Sequence, residues 1–292
     1  MLESLHPNLV SFIAAIFVAI AQMMYRLALT RLSPAITALM LNIFTAIFAV
    51  GLYLIGEGAK AWPLAALLWF ALVGVFGNAG GRYLSLLGVN LIGLSRNQVM
   101  VQTVLIWSSL QGIFFLGEQM TIGIAIGTLA IMWGAILLLY DRKDEKIRAP
   151  LLYYFIPVFA SFLFSLTFVF RKYGIVLLPS IPIGVAISTG SGALLMAAIM
   201  PFTKKGATKR WDPRGMLIIF LGTMVNFVAT IFFWSAIQRG EIVQVIPINR
   251  LSVLIVIFLS WFFVQKQEVV TWRIALGGAV SVVGAFAVVW GK

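Results

Sequence analysis

Long apolar stretches alternate with short polar breaks along the whole chain. Ten stretches run at roughly 8–29, 35–56, 63–89, 94–116, 121–140, 151–172, 181–202, 215–238, 243–264 and 270–290. Each is long enough to cross a hydrocarbon core, which takes about 20 mainly apolar residues in a helix. The breaks carry turn residues and charge: Ser33-Pro34, Gly56-Glu57-Gly58, Trp62-Pro63, Gly117-Glu118-Gln119, the charged run Asp141 to Arg148, Pro179, the basic run Lys204 to Arg214, Arg239-Gly240-Glu241, and Gln265 to Glu268. Continuous apolar runs, rather than alternating polarity, predict helices and argue against a membrane β-barrel. The first stretch is too long for a signal peptide and lacks a basic lead and a small-residue cleavage site. The pattern therefore predicts an all-α membrane protein of ten transmembrane helices.

The two halves of the pattern match. A shift of 150 superimposes Pro63 on Pro213, Glu118 on Glu268, Gly127 on Gly277, Gly134 on Gly284 and aromatic Tyr140 on Trp290. A shift of 145 superimposes Arg26 on Arg171 and Pro34 on Pro179, and the difference falls in the basic loop near 204–210. The ordered series predicts a duplication, with one repeat over 1–145 and a second over 146–292. Five spans is an odd number, so the second repeat must enter the membrane from the opposite side. Two inverted five-helix repeats can exchange complementary conformations, which supplies alternating access to a central site.

Composition strengthens the membrane reading. The chain has 292 residues, 62% of them hydrophobic and 10% charged, with a mean hydropathy of +1.05. A soluble chain carries about 25% charged residues to cover its surface, which excludes an ordinary soluble enzyme. With no Cys and His6 as the single His, thiolate or imidazole metal sites and cysteine nucleophiles are excluded too. The net charge of +12 lies mostly in short gaps between apolar runs, where it reads as topology and contact with anionic lipid head groups, not as a nucleic-acid patch. Counted by alternation, with Arg82, Arg96 and Arg250 left out, one set of loops and span ends carries thirteen Lys and Arg and the other five. The positive-inside rule then puts the 141–150 and 203–214 loops in the cytoplasm and both termini outside.

At this point the residues carry a family resemblance. Gly93-Leu94-Ser95-Arg96, an apolar span ending in Gly117-Glu118, and a fifth helix with Gly123, Gly127 and Gly134 resemble a ten-helix, EamA-type member of the drug/metabolite transporter superfamily. The second copy keeps Glu268, Gly277 and Gly278, with Gln267 where the family pattern has Gly. The resemblance covers nearly the whole chain. It implies a multi-pass protein, expected in a bacterial inner (plasma) membrane, with spans one to four and six to nine lining a cavity and the fifth and tenth peripheral. It also implies termini inside, against the charge count. The fifth and tenth spans support the peripheral assignment on their own, because they hold few polar residues and glycines at helical spacing, suited to close packing or a dimer contact.

Polar groups inside a membrane are costly and mark candidate sites. Gly74, Asn78 and Arg82 recur at four-residue spacing on the third span, with room beside Gly74 for a ligand or a neighbouring helix. Asn249 and Arg250 lie well inside the ninth, Gln98 and Gln102 align on the fourth, and Asn226, Thr230 and Trp234 form a row on the eighth. Gln22 and Tyr25 add to the first. Arg82 and Arg250 are about ten ångströms from their span ends at 1.5 Å per residue, too deep for easy snorkelling. Arg26, Arg96 and Arg171 lie nearer the ends and read as interface anchors. Ser109, Ser161 and Ser165 read as structural.

All nine acidic residues fall in loops or at span ends, so no buried carboxylate is at hand to hold a cationic drug and a proton in turn. Two permanently charged arginines point instead to a carboxylate or phosphate. Glu118 and Glu268 sit at opposite faces, too far apart for an acid–base pair, and each is expected to cap the helix that follows it. The expected function is a secondary transporter, not an enzyme, of a small anionic or zwitterionic metabolite such as an amino acid, an organic acid or a phosphorylated compound. It needs no cofactor, has no nucleic-acid partner, and works as a monomer or homodimer by uniport or exchange. The alternative is a lipid head-group flippase, or another membrane protein acting on phospholipid-like substrates.

Overall fold

The computed structural model describes residues 5–29, 31–56, 62–92, 97, 100–140, 150–199, 212–263 and 272–291. Among these every regular element is helical. The first three expected spans appear as α1 (Pro7–Leu29), α2 (Pro34–Gly56) and a composite of α3 (Leu64–Val73), a π-helical segment (Gly74–Gly81) and α4 (Arg82–Ile92). Then follow α5 (Val104–Leu116), α6 (Ile122–Tyr140), α7 (Leu151–Leu177), α8 (Ile181–Ile199), α9 (Pro213–Arg239), α10 (Ile242–Asn249), α11 (Ser252–Phe263) and α12 (Trp272–Trp290). Six segments are long and apolar enough to cross a membrane, and they fall at expected spans one, two, three, six, seven and eight. Shorter apolar helices fall at spans four, five, nine and ten. The chain is an integral, multi-pass membrane protein.

The shortness of the fourth and ninth has a visible cause. In the ninth, a turn at Arg250-Leu251 separates α10 from α11, just after Pro247, which cannot donate to the helical ladder. In the fourth, a turn at Gln102-Thr103 precedes α5. Discontinuous helices at corresponding positions of two repeats are a device for exposing polar groups at membrane depth. The third span deviates differently: four glycines (Gly74, Gly77, Gly80 and Gly81) widen it into a π-helical segment ending at Arg82. Such wide turns recur at functional sites.

Packing is related across the halves. α1 packs on α9, and α7 packs correspondingly on α3 and α4; α1 packs on α10 and α11, and α7 on α5. α2 pairs with α8 and α6 with α12. Exchanging first-half spans for second-half spans leaves this set of interfaces unchanged.

The α6–α12 pair shows the relation residue by residue. A Cβ on Gly127 would lie 2.5 Å from the Gly284 carbonyl oxygen, and one on Gly134 would lie 2.5 Å from that of Gly277. Gly127 thus faces the repeat equivalent of Gly134, and Gly134 faces the equivalent of Gly127. The two helices cross antiparallel with backbones in contact, held by dispersion that only glycine permits. Their far sides, including Ile122, Trp133, Val283 and Trp290, are exposed. The glycines thus serve packing within the chain.

Candidate functional site

A cavity of about 350 Å³ lies between the halves, within the range of small-molecule sites. Asn78, Arg82, Asn226, Thr230, Trp234, Asn249 and Arg250 all line it, as does Gln22. The local folding explains each group. α9 is unbroken through residues 226–234, so its four-residue spacing keeps one face together; Thr230 Oγ1 donates to the Asn226 carbonyl at 2.8 Å. Asn78 and Arg82 follow from the widened turn. The space beside Gly74 is taken by α8, where an added Cβ would meet Ser191 and the Ser188 backbone; Asn78 Nδ2 donates to the Ser188 carbonyl at 3.0 Å. Asn249 and Arg250 sit at the break in the ninth span, with Asn249 Nδ2 reaching the Ser11 carbonyl at 3.5 Å.

Two expected groups lie elsewhere. Tyr25 packs against Gly222 and donates to its carbonyl at 3.2 Å, outside the lining. Gln102 is 2% exposed, with Oε1 unpartnered, while its neighbour Val101 faces the cavity. Gln98, also expected, falls outside the described residues, as do Arg96 and Glu268. Ser109, Ser161 and Ser165 donate to carbonyls three or four residues back, a structural role as expected.

The main correction is Arg171. It lines the cavity instead of reaching the interface. Its guanidinium lies 4.9 Å from the Trp234 ring centroid and 5.6 Å from those of Phe168 and Phe233, a cation–π cage, and its Nε has no hydrogen-bond partner. Its neighbour explains the placement. Successive residues on a helix point about 100° apart, so only one of Arg171 and Lys172 can face outward. Lys172 takes that direction: Nζ donates to the Gly240 carbonyl and lies 3.7 Å from Glu118 Oε1. Asn42 is a second group that sequence reasoning passed over. Its Oδ1 accepts from Arg82 Nη1 at 3.3 Å, and it lines the cavity with Thr45. An amide near the middle of an apolar span was the available signal.

Glu118 also departs from expectation. It caps α10, far away in sequence, and not the helix that follows it. Gly117 takes the left-handed conformation (φ 67°), and the Glu118 N–H bonds back to the Gly112 carbonyl at 3.2 Å, closing α5. This turn aims the carboxylate at the start of α10, where Oε1 and Oε2 accept from the Ile242 and Val243 amides at 2.8 and 3.0 Å. Burial pushes the Glu118 carboxyl above its ordinary range, while the two amides and Lys172 pull it back in part.

Contacts among the described residues tie both ends of the bundle. At the end bearing Glu118, Asn8 Nδ2 donates to Gln244 Oε1 at 3.3 Å, Ser11 Oγ to the Val245 carbonyl at 2.8 Å, and Tyr173 Oη to the Phe115 carbonyl at 2.5 Å. At the other end the Arg31–Asp212 pair, 2.8 Å apart and partly exposed, joins the start of α9 to the α1–α2 turn.

Among the described residues no acidic side chain lines the cavity, and none forms a His/Cys/Asp/Glu cluster able to hold a metal. The arrangement suits binding an anion in a protected space and offers no nucleophile with a base beside it.

The EamA-like transporter family model matches residues 7–140 and 151–290. No match is found among curated proteins. One solved crystal structure superimposes with a TM-score of 0.76 over 97% of this chain and 96% of that chain at 15% identity, a likeness of fold alone.

Proposed function

The chain belongs to the EamA-like transporter family, and from that premise we propose that it moves a small anionic or zwitterionic metabolite through the cavity by alternating access. One observation carries the substrate class: Arg82, Arg171 and Arg250 line one cavity with no acidic side chain among the described lining residues. Guanidinium groups stay charged at any physiological pH and present forks of N–H donors suited to carboxylate and phosphate. The substrate-contacting set is Asn78, Arg82, Arg171, Asn226, Thr230, Asn249 and Arg250, with Trp234 holding Arg171.

The interfaces exchanged between halves support a ten-span reading with an inverted repeat over 1–145 and 146–292. The ties at the Glu118 end support a carrier resting closed on that side, in which breaking the Glu118–α10 contacts would belong to the opening step. The charge bias of the loops supports termini outside in a bacterial inner membrane. With no titratable acid among the described lining residues, the cycle runs as uniport or exchange.

Flux into proteoliposomes tests the proposal. Screening by thermal shift on purified protein identifies a ligand, and its uptake should fall at least tenfold in Arg82→Ala and Arg250→Ala, the loss expected for about 1.4 kcal/mol or more of binding. Unchanged flux in both variants would remove the site; a simple cation as best substrate would remove the charge argument.

A further inference from the structure

The three arginines are not equivalent, and the difference constrains the substrate. Arg82 belongs to a polar wall: it donates to Asn42, with Thr45 and Asn78 also facing the cavity. Arg171 belongs to an aromatic wall of Phe168, Phe233 and Trp234. Arg250 stands at a helix break on a third element. A guanidinium carries five N–H donors, yet among the described residues the three side chains together make one hydrogen bond, Arg82 to Asn42. The repeat does not require two of them: at the shift of 150, Arg82 corresponds to Phe232 and Arg250 to Met100, while Arg171 corresponds to Arg26 at the shift of 145. Costly charges that the scaffold does not demand are explained by what they bind.

We infer that the substrate is a dianion, with two anionic groups separated by an apolar or aromatic body. This rests on the reading of the cavity as the substrate site. Charge and chemistry narrow the choice. A zwitterion leaves the cavity charge unchanged and brings an ammonium among three guanidiniums with no carboxylate on the described lining to receive it. A monoanion engages one pole and leaves two desolvated cations. A dianion satisfies the Arg82 pole and the Arg171 pole together, while the apolar lining residues Val18, Leu41 and Phe164 offer surface to its body.

The test uses the full chain in detergent and ligands built on one skeleton: benzene-1,4-dicarboxylate, 4-methylbenzoate and the zwitterion 4-(aminomethyl)benzoate, together with aliphatic dicarboxylates of increasing length and phenyl phosphate. Calorimetric titration should show the best dianion binding at least about tenfold tighter than 4-methylbenzoate, as one further charge-assisted contact supplies, with the zwitterion weakest. Arg171→Gln should bring dianion and monoanion near parity. If 4-methylbenzoate or the zwitterion matches the dianions, or no dianion binds at millimolar concentration, the dianion inference falls while transport of some other anion or zwitterion through the cavity stands. If 1,4-bis(aminomethyl)benzene binds best, the reading of the cavity as an anion site falls too. The wild-type comparison decides even if the variant fails to fold.

Discussion

The α6–α12 pair and the cavity obey opposite rules. In the pair, Gly127 meets Gly284 and Gly134 meets Gly277, so each of these contacts has a repeat-related twin, and the helical stretches between these glycines carry no charge. In the cavity two of the three cations lack such twins: Arg82 and Arg250 correspond to Phe232 and Met100, whereas Arg171 corresponds to Arg26. Duplication explains what a scaffold needs, which is interfaces that work twice. It does not explain Arg82 and Arg250, cations in a low-dielectric interior, and these are the part we assign to a ligand. Substitutions in the two regions should differ in sign as well as in size.

The largest loss of stability is expected from the pair. Gly127→Leu pushes a side chain into the Gly284 carbonyl, and backbone cannot swing aside as a flexible side chain can. Overpacking of this kind costs about 3 kcal/mol, visible as a lowered unfolding temperature and loss of a single species on size exclusion. Gly284→Leu should cost a similar amount, because its Cβ would lie 2.7 Å from the Gly127 carbonyl. A cost confined to one of the two would break the equivalence.

In the cavity the opposite sign is expected. Arg171→Met removes a cation with an unpartnered Nε and keeps a flexible apolar body beside the three rings. Replacing buried charge by apolar side chains is commonly neutral or stabilising, by about 1 to 4 kcal/mol. The empty protein should therefore unfold at the same or a higher temperature, while anion binding falls at least tenfold, equivalent to about 1.4 kcal/mol. A variant that loses both stability and binding would make Arg171 a scaffold residue after all.

What the sequence revealed follows the same division. Ten apolar stretches and the glycine spacing of the fifth and tenth were legible because burial in lipid and close helix contact are encoded locally. Arg82 and Arg250 were legible from depth, and the Asn226–Thr230–Trp234 row because α9 is continuous. The Gln98–Gln102 row assumed a continuous helix as well, and the turn at Gln102-Thr103 removes that premise. Arg171 departs from the interface position its sequence suggests, because depth from a span end measures only how far a side chain could reach. The direction it takes depends on Lys172 meeting Glu118 and Gly240, contacts made across the chain. Glu118 departs from a local cap for the same reason: the amides that donate to it lie 124 and 125 residues away.

Glu118 sharpens the comparison last, because it places a charge in the scaffold and not in the cavity. Its carboxyl is raised above the ordinary range chiefly by burial, so the folded chain holds this proton more tightly than the unfolded chain. The resulting stabilisation is complete below the unfolded value, about 4.3 for Glu, and is lost as pH rises through the higher folded value. Glu118→Gln has no proton to lose and should flatten that part of the stability profile. It keeps one acceptor oxygen for the amides at the start of α10, so giving up the second bond costs about 1 kcal/mol, offset in part by removal of the buried charge. Unfolding temperatures of the two proteins from about pH 4 to 7, in one detergent, provide the measurement. Identical slopes would mean that Glu118 does not carry the titration, and its bonds to Ile242 and Val243 would then act as a charge-fixed cap across that range.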